Sequence, residues 1–140
     1  MNYFIDVIVP VSLPKPFTYI VSKEEFDFLV IGHRVIVPFG KSKLYTSVVV
    51  KKHELYPSSY KPKKIEFIFD EKPLVTEDQI KIWNWISDYY ICNIGDVMRA
   101  SLPSGLFFSS ETVFKNKSVE KSIINSFSDD EFIIYEALQK

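Results

Sequence analysis

The sequence predicts an α+β fold: a small, β-rich, barrel-like antiparallel sheet with one main helix C-terminal to it, followed by a linker and a truncated helical segment. Three observations carry this. Five short apolar runs with strand-like alternation occupy the first half, each bounded by proline, glycine or charged corners. Aromatics make up 16% of the chain and Val and Ile are abundant, which suits a pleated, half-buried surface. After Val75 the apolar period changes from two to that of a helix. With 140 residues and 46% hydrophobic content, the chain can bury one ordinary core and part of a second, which excludes a disordered polymer.

The first strand is Tyr3 to Val9, and Pro10, Pro14 and Pro16 limit its exit. Phe17 to Val21 follows directly from Pro16, whose ring cannot donate to a ladder, so its start belongs at a sheet edge. Glu24 to Val30 reads as a charged corner passing into an apolar patch, and Gly32 resets the chain. In the central strand Val35, Val37 and Phe39 alternate with Arg34, Ile36 and Pro38 before Gly40 and Lys41. Gly40-Lys41 is first of all a hairpin turn, but it also offers open backbone amides beside a positive charge, a corner suited to phosphate or carboxylate. Leu44 to Leu55 is expected to pair antiparallel with the opening strand. A loop at Pro57-Ser58-Ser59 leads to a last strand, Lys63 to Asp70, with Ile65, Phe67 and Phe69 on its inner face. Five strands with short connections favour a strongly twisted, barrel-like sheet.

Thr76-Glu77-Asp78-Gln79 is a capping box and opens the main helix, which carries Ile82, Trp85, Ile86 and Tyr89 on one face with Trp83 and Tyr90 beside it. Aromatics at this spacing under a sheet are read as core, with base stacking as the sharper alternative. Ile94 to Pro103 gives a short second helix stopped at its proline. Beyond about Gly105 no period persists and a linker is expected. Ser128-Asp129-Asp130-Glu131 is another capping box, opening an apolar helix with Phe132, Tyr135, Ala137 and Leu138. An apolar helix without a following partner is poorly stabilised, so the chain is expected to be cut inside a second domain.

Several function classes drop out. One cysteine, Cys92, excludes an internal disulfide framework and points to a reducing compartment. No run approaches the ~20 apolar residues of a membrane span, and Met1 to Pro14 has Asp6 in its middle and no basic leader. A cytoplasmic protein with no membrane association is expected. Phe39-Gly40-Lys41-Ser42 superficially resembles a phosphate-binding loop, but Gly32 is too far upstream and no helix follows. His33 and His53 have no neighbours suited to a metal or a nucleophile, and Asp6, Asp70, Glu71 and Asp88 are scattered. No catalysis by this chain alone is expected, and no cofactor.

Charge is where composition speaks. The overall net charge is −1, yet Arg34 to Lys64 holds eight cationic residues against Glu54 alone, a net +7 that leaves −8 for the remainder. A basic hairpin on a small barrel can follow a phosphate backbone. It can equally be an edge kept from aggregating by lysines. Phe17, Tyr19, Phe39 and Tyr45 lie near these lysines in sequence and can stack on a base.

Taken together, Val9-Pro10-Val11 with Pro14, Phe17-Thr18-Tyr19, and Gly32-x-Arg34-Val35-x-Val37-Pro38-Phe39-Gly40-Lys41 form a pattern that resembles the N-terminal DNA-binding domain of the bacterial replication-restart helicase family PriA (primosomal protein N′). Asp70-x-x-Pro73, the Trp83/Trp85 helix ending in Asp88-Tyr89-Tyr90, and Ile94-Gly95-Asp96-Val97 leading to Ala100-x-Leu102-Pro103 agree. The resemblance covers about residues 3 to 105. It implies a DNA 3′-end-binding domain over 1–105, and over 106–140 a linker and the start of a winged-helix domain. It further implies recognition of the 3′ end of the nascent leading strand at stalled forks, with forked DNA, single-strand binding protein and other primosome proteins as partners. ATP and zinc would belong to the helicase motor of the full-length protein.

The pocket the resemblance implies consists of Phe17, Thr18 and Tyr19, Gly40 and Lys63, with Lys64 a one-residue alternative; Lys41 adds charge beside Gly40. Thr18 stands where the family commonly has an aspartate. A hydroxyl lacks the charge and the two-oxygen acceptor surface of a carboxylate, so a weaker base contact is expected. The reading from a different class is a protein-interaction barrel whose basic hairpin docks acidic tails of replication proteins.

Overall fold

The computed structural model describes residues 2–41, 43–108 and 127–137. The chain divides into two compact units, Met1–Ser110 and Glu111–Lys140. The first contains five strands, β1 (Tyr3–Ile8), β2 (Phe17–Val21), β3 (Arg34–Phe39), β4 (Lys43–His53) and β5 (Phe67–Ile68), in the order β2-β1-β4-β3-β5, all antiparallel. The 11-residue β4 is long enough to pair with both β1 and β3, and the β1 pairing shifts register between Asp6 and Val7. Such a bulge increases local twist. The sheet therefore curls into a half-barrel until its β2 edge meets the segment leading into β5: the Ile20 N–H donates to the Lys63 carbonyl at 2.9 Å, with a parallel bridge between Ile20 and Lys64.

Strand alternation divides the side chains between two cores. Ile5, Val7, Val9, Tyr19, Val21, Val35, Val37 and Val49 fill the concave interior with Leu29 and Ile65. On the convex side Ile8 and Val48 pack under helices α2 (Glu77–Tyr90) and α3 (Ile94–Ser101), against Val75, Ile80, Trp83, Ile94, Val97 and Met98. Arg34 to Val37 and Thr46 to Val49 are buried on both faces for this reason. Gly95 marks where α3 docks on the sheet: a Cβ there would lie 2.0 Å from the Val11 carbonyl oxygen, so any side chain would push the helix away.

Three sequence expectations are corrected. The charged corner is itself a helix, α1 (Lys23–Phe28), in addition to α2 and the expected short second helix, α3. Ser22 and Glu25 form its capping box, with Glu25 N–H donating to Ser22 Oγ at 3.1 Å and Ser22 N–H to Glu25 Oε2 at 2.6 Å. The strand Lys63 to Asp70 shrinks to Phe67–Ile68; Ile65 is buried, whereas Phe67 and Phe69 are exposed and stack on each other. On α2 the buried positions are Ile80 and Trp83, with Ile86 packed against them, while Ile82, Trp85 (60% exposed) and Tyr89 (67%) face outward. Trp85 and Tyr89 stack at 5.1 Å.

The main-helix capping box forms as the spacing predicts: Gln79 N–H donates to Thr76 Oγ1 at 3.2 Å and Thr76 N–H to Gln79 Oε1 at 2.9 Å. Helix α3 ends before Pro103, and a 3₁₀ turn (Ser104–Leu106) follows. In the second unit, α4 (Asp129–Ala137) starts from Ser128, whose hydroxyl and N–H engage Glu131. The expected linker falls mostly outside the described residues, as does Leu138. Among the described residues, no helix is long and apolar enough to cross a membrane.

Candidate DNA-end pocket

A half-open cavity of about 250 Å³ lies where the curled sheet closes. Phe17, Thr18 and Tyr19 of β2 form one wall, Pro38, Phe39 and Gly40 at the end of β3 a second, and Tyr60, Lys61 and Lys63 of the closing segment a third. Five of the seven residues expected from the sequence, Phe17, Thr18, Tyr19, Gly40 and Lys63, therefore converge from three distant stretches. Lys41 and Lys64 do not line it; both are exposed beside residues that do. Pro38, Phe39, Tyr60 and Lys61 are added.

The walls are mainly aromatic. Phe17 meets Phe39 edge-on at 5.2 Å and Tyr60 at 6.3 Å with a tilt of 46°, and Phe39 meets Tyr45 edge-on at 6.1 Å. Tyr19 is nearly fully buried and its hydroxyl donates to the Pro38 carbonyl at 3.0 Å, tying β2 to β3 across the cavity floor. Burial, with the neighbouring Tyr60 as a smaller cause, pushes the Tyr19 phenol up to about 12. The phenol is thus a neutral donor at any physiological pH.

Gly40 has φ +70° and nothing within 4 Å of where a Cβ would stand. Glycine is favoured there by backbone conformation, since an L-residue in the left-handed region is strained. The Gly40 carbonyl accepts from Lys63 Nζ at 2.8 Å, which holds an ammonium at the cavity rim.

Thr18 is organised differently from its neighbours. On β2 the side chains of Phe17, Tyr19 and Val21 turn to the concave core, so alternation sends Thr18 to the other face. There its hydroxyl donates to Asp6 Oδ1 at 2.6 Å, directly across the β1–β2 pair. The same oxygen is 3.0 Å from His53 Nε2. Leu55 N–H donates to His53 Nδ1 at 3.2 Å, which puts the imidazole proton on Nε2, facing Asp6. Aspartate is central in this chain, so histidine cannot take a proton from the threonine, and the cluster is structural. The Thr18 backbone N–H, on the free edge of β2, donates to the Tyr60 hydroxyl at 2.7 Å.

The net +7 of the Arg34–Lys64 segment overstates the charge open to a ligand. Arg34 is buried and forms a bidentate pair with Asp70, Nε to Oδ2 at 2.8 Å and Nη2 to Oδ1 at 2.6 Å; Nη1 donates to the Leu106 carbonyl and the guanidinium lies 4.4 Å from the Phe69 ring centroid. Burial pushes the Asp70 carboxyl up, but the hydrogen bonds and charge of Arg34 outweigh this and hold it below the ordinary 3.8. Lys52 is committed to the Leu29 carbonyl and the Phe26 ring. The Lys41, Lys43, Lys51, Lys61 and Lys64 side chains remain exposed, with no side-chain hydrogen bond or ion pair among the described residues.

Sequence reasoning missed Tyr60. It sits in a Ser-Ser-Tyr-Lys-Pro loop with no period, and only the closure of the sheet brings it against Phe17 and Thr18. Lys61, by contrast, was visible in the charge count.

Comparison with known proteins supplies the family. A family model described as a 3′DNA-binding domain (3′BD) of PriA matches residues 6–103. Among curated relatives, the replication restart protein PriA of Bacillus subtilis (strain 168) is 28% identical over 138 residues, covering 94% of this chain and 17% of the relative. That of Buchnera aphidicola is 29% identical over 117 residues, with 82% and 15% covered. That of Haemophilus influenzae is 34% identical over 110 residues, with 79% and 15% covered. The chain thus spans about a sixth of the length of these relatives.

Proposed function

Because the chain belongs to the PriA 3′DNA-binding domain family, we propose that its pocket receives the 3′ end of the nascent leading strand at a stalled replication fork. The observation that carries this reading is the convergence of Phe17, Thr18, Tyr19, Gly40 and Lys63 on one cavity. The cavity falls below the usual range for drug-sized ligands, about 300–1,000 Å³, and suits one terminal nucleotide more than a strand passing through. Aromatic walls suit the base, and the rim ammoniums of Lys61 and Lys63 suit the sugar-phosphate. Thr18 contributes backbone to the wall while its hydroxyl stays with Asp6. Lys41 and Lys64, exposed outside the cavity, suit phosphates further along the strand. Contacts of this kind select for the shape of an end and are indifferent to sequence.

In the full-length protein this domain would orient a helicase motor that uses ATP, with single-strand binding protein and other primosome proteins as partners, in the cytoplasm. The chain itself would have no ATPase activity. Fluorescence anisotropy with forked DNA tests the reading: binding is tighter with a 3′-hydroxyl at the junction than with a 3′-phosphate, and weakens steeply with salt. Equal affinity for the two ends would sink it. Displacement by an acidic peptide, with no preference between ends, would favour the protein-interaction barrel.

A further inference from the structure

The polar groups lining the pocket differ in whether their protons are already committed. The Tyr19 hydroxyl donates to the Pro38 carbonyl, and the Thr18 hydroxyl donates to Asp6. Tyr60 is the exception. Its oxygen accepts from the Thr18 N–H at 2.7 Å, and among the described residues no acceptor takes its own proton. Phe17, Pro38, Phe39 and Gly40 offer no side-chain donor, and Lys61 and Lys63 are charged. The Tyr60 phenol is therefore the one uncharged side-chain donor in the lining with a proton to give.

Its location restricts what it can meet. Thr18 and Ile20 present successive N–H groups on the free edge of β2, capped by the Tyr60 hydroxyl and the Lys63 carbonyl in turn. The phenol substitutes for a backbone carbonyl there, which holds its oxygen at the wall. The Tyr60 ring, 41% exposed, is tilted 46° to that of Phe17 and so is not stacked on it. A phosphate is better served by the lysines, so the group beside the phenol is a base.

We infer that Tyr60 is a specificity-determining residue that recognises the terminal base: its O–H donates to the acceptor every base carries on its minor-groove edge, N3 of a purine or O2 of a pyrimidine, while its ring lies against the base face. The inference rests on the 3′-end reading and extends it, because a donor aimed at a shared acceptor distinguishes a strand terminus carrying a base without distinguishing which base. Lys63, on the same segment, holds the sugar-phosphate side.

The experiment is a cycle between Tyr60→Phe and removal of the terminal base, read by anisotropy on forks ending in each of the four nucleotides or in an abasic 3′ nucleotide. Tyr60→Phe loses about five-fold in affinity on all four ends, the value of one neutral hydrogen bond, and nothing on the abasic end. Tyr60→Ala loses about five-fold more on the ends that carry a base, through lost stacking. An equal loss on the abasic end would assign Tyr60 to capping Thr18 alone and overturn the inference, as would no loss on any end. Wild-type protein that does not distinguish 3′-hydroxyl from 3′-phosphate would overturn the underlying reading. Wild-type discrimination with an inert Tyr60→Phe would overturn this inference alone.

Discussion

Lys63 Nζ donates to the Gly40 carbonyl at 2.8 Å, joining the segment that closes the half-barrel to the turn that ends β3. A neutral carbonyl is a weaker partner for an ammonium than a phosphate oxygen, so under the proposed reading the contact would hold the cation at the rim until a DNA end takes it. Lys63→Met is expected to weaken binding to a 3′-ended fork by about tenfold and to flatten the slope of log affinity against log salt by about 0.7–0.9. Anisotropy titrations across a salt series measure both. An unchanged slope would mean that Lys63 meets no phosphate.

Arg34 and Asp70 form a mostly buried pair that lies outside the cavity lining. Asp70→Ala leaves the guanidinium without its carboxylate and is expected to destabilise by about 3 kcal/mol in urea denaturation. The pair also sets an acid limit. Since the Asp70 carboxyl titrates below its ordinary 3.8 in the folded protein, its contribution is present above that pH and is lost as pH falls through the lower, folded value. Thermal melts from pH 5 downward should show this decline, and Asp70→Asn should flatten it.

Tyr19 sets the corresponding alkaline limit. Its phenol titrates at about 12 when folded against 10.0 when free, so its contribution is complete below pH 10 and disappears as pH rises towards 12. The span corresponds to about 3 kcal/mol. The difference in stability between wild type and Tyr19→Phe should change by that order between pH 9 and 12, and a flat difference would contradict the burial of the phenol.

Helix α2 ends at Ile91, a β-branched residue with φ 53° that is 93% exposed. The left-handed conformation costs an ordinary residue roughly 1–2 kcal/mol, while glycine loses about 0.5–1 kcal/mol through its freer unfolded chain. Relief of strain is the larger effect. Ile91→Gly is expected to raise stability by about 0.5–1 kcal/mol, read from the urea midpoint.

Much of this was legible locally. Alternation in Tyr3 to Val9 and in Arg34 to Phe39 identifies strands because a pleated backbone has no other way to sort apolar from polar side chains. The Thr76–Gln79 box starts α2 because a helix must satisfy its first amides. The same signal at Ser22–Glu25 was equally present, and it opens the helix that reads as a charged corner when only its charges are weighed. The pocket residues were legible through the V-P-F-G block and its companions, which carry the family's pattern.

What the chain could not state locally was which face wins. Ile80 with Trp83, and Ile82 with Trp85 and Tyr89, both satisfy helical spacing, and only the convex sheet surface and α3 select the first pair. Phe67 and Phe69 alternate as inner-face residues should, but pairing limited to Val35–Ile68 and Ile36–Phe67 turns them outward. Eight clustered cations read as one basic surface, yet Arg34 is drawn inside by Asp70, 36 residues away, because a carboxylate and the Leu106 carbonyl together satisfy a buried guanidinium. Composition and spacing determined that this is a small curled sheet with a helical cover, and the resemblance carried by the V-P-F-G block and its companions pointed to a candidate set of pocket residues. The pairing of β1 with β2 decided that Thr18 turns to Asp6. Tertiary closure decided that Lys63 reaches Gly40 and that Tyr60 completes the pocket, because those two contacts exist only once the β2 edge meets the segment that leads into β5.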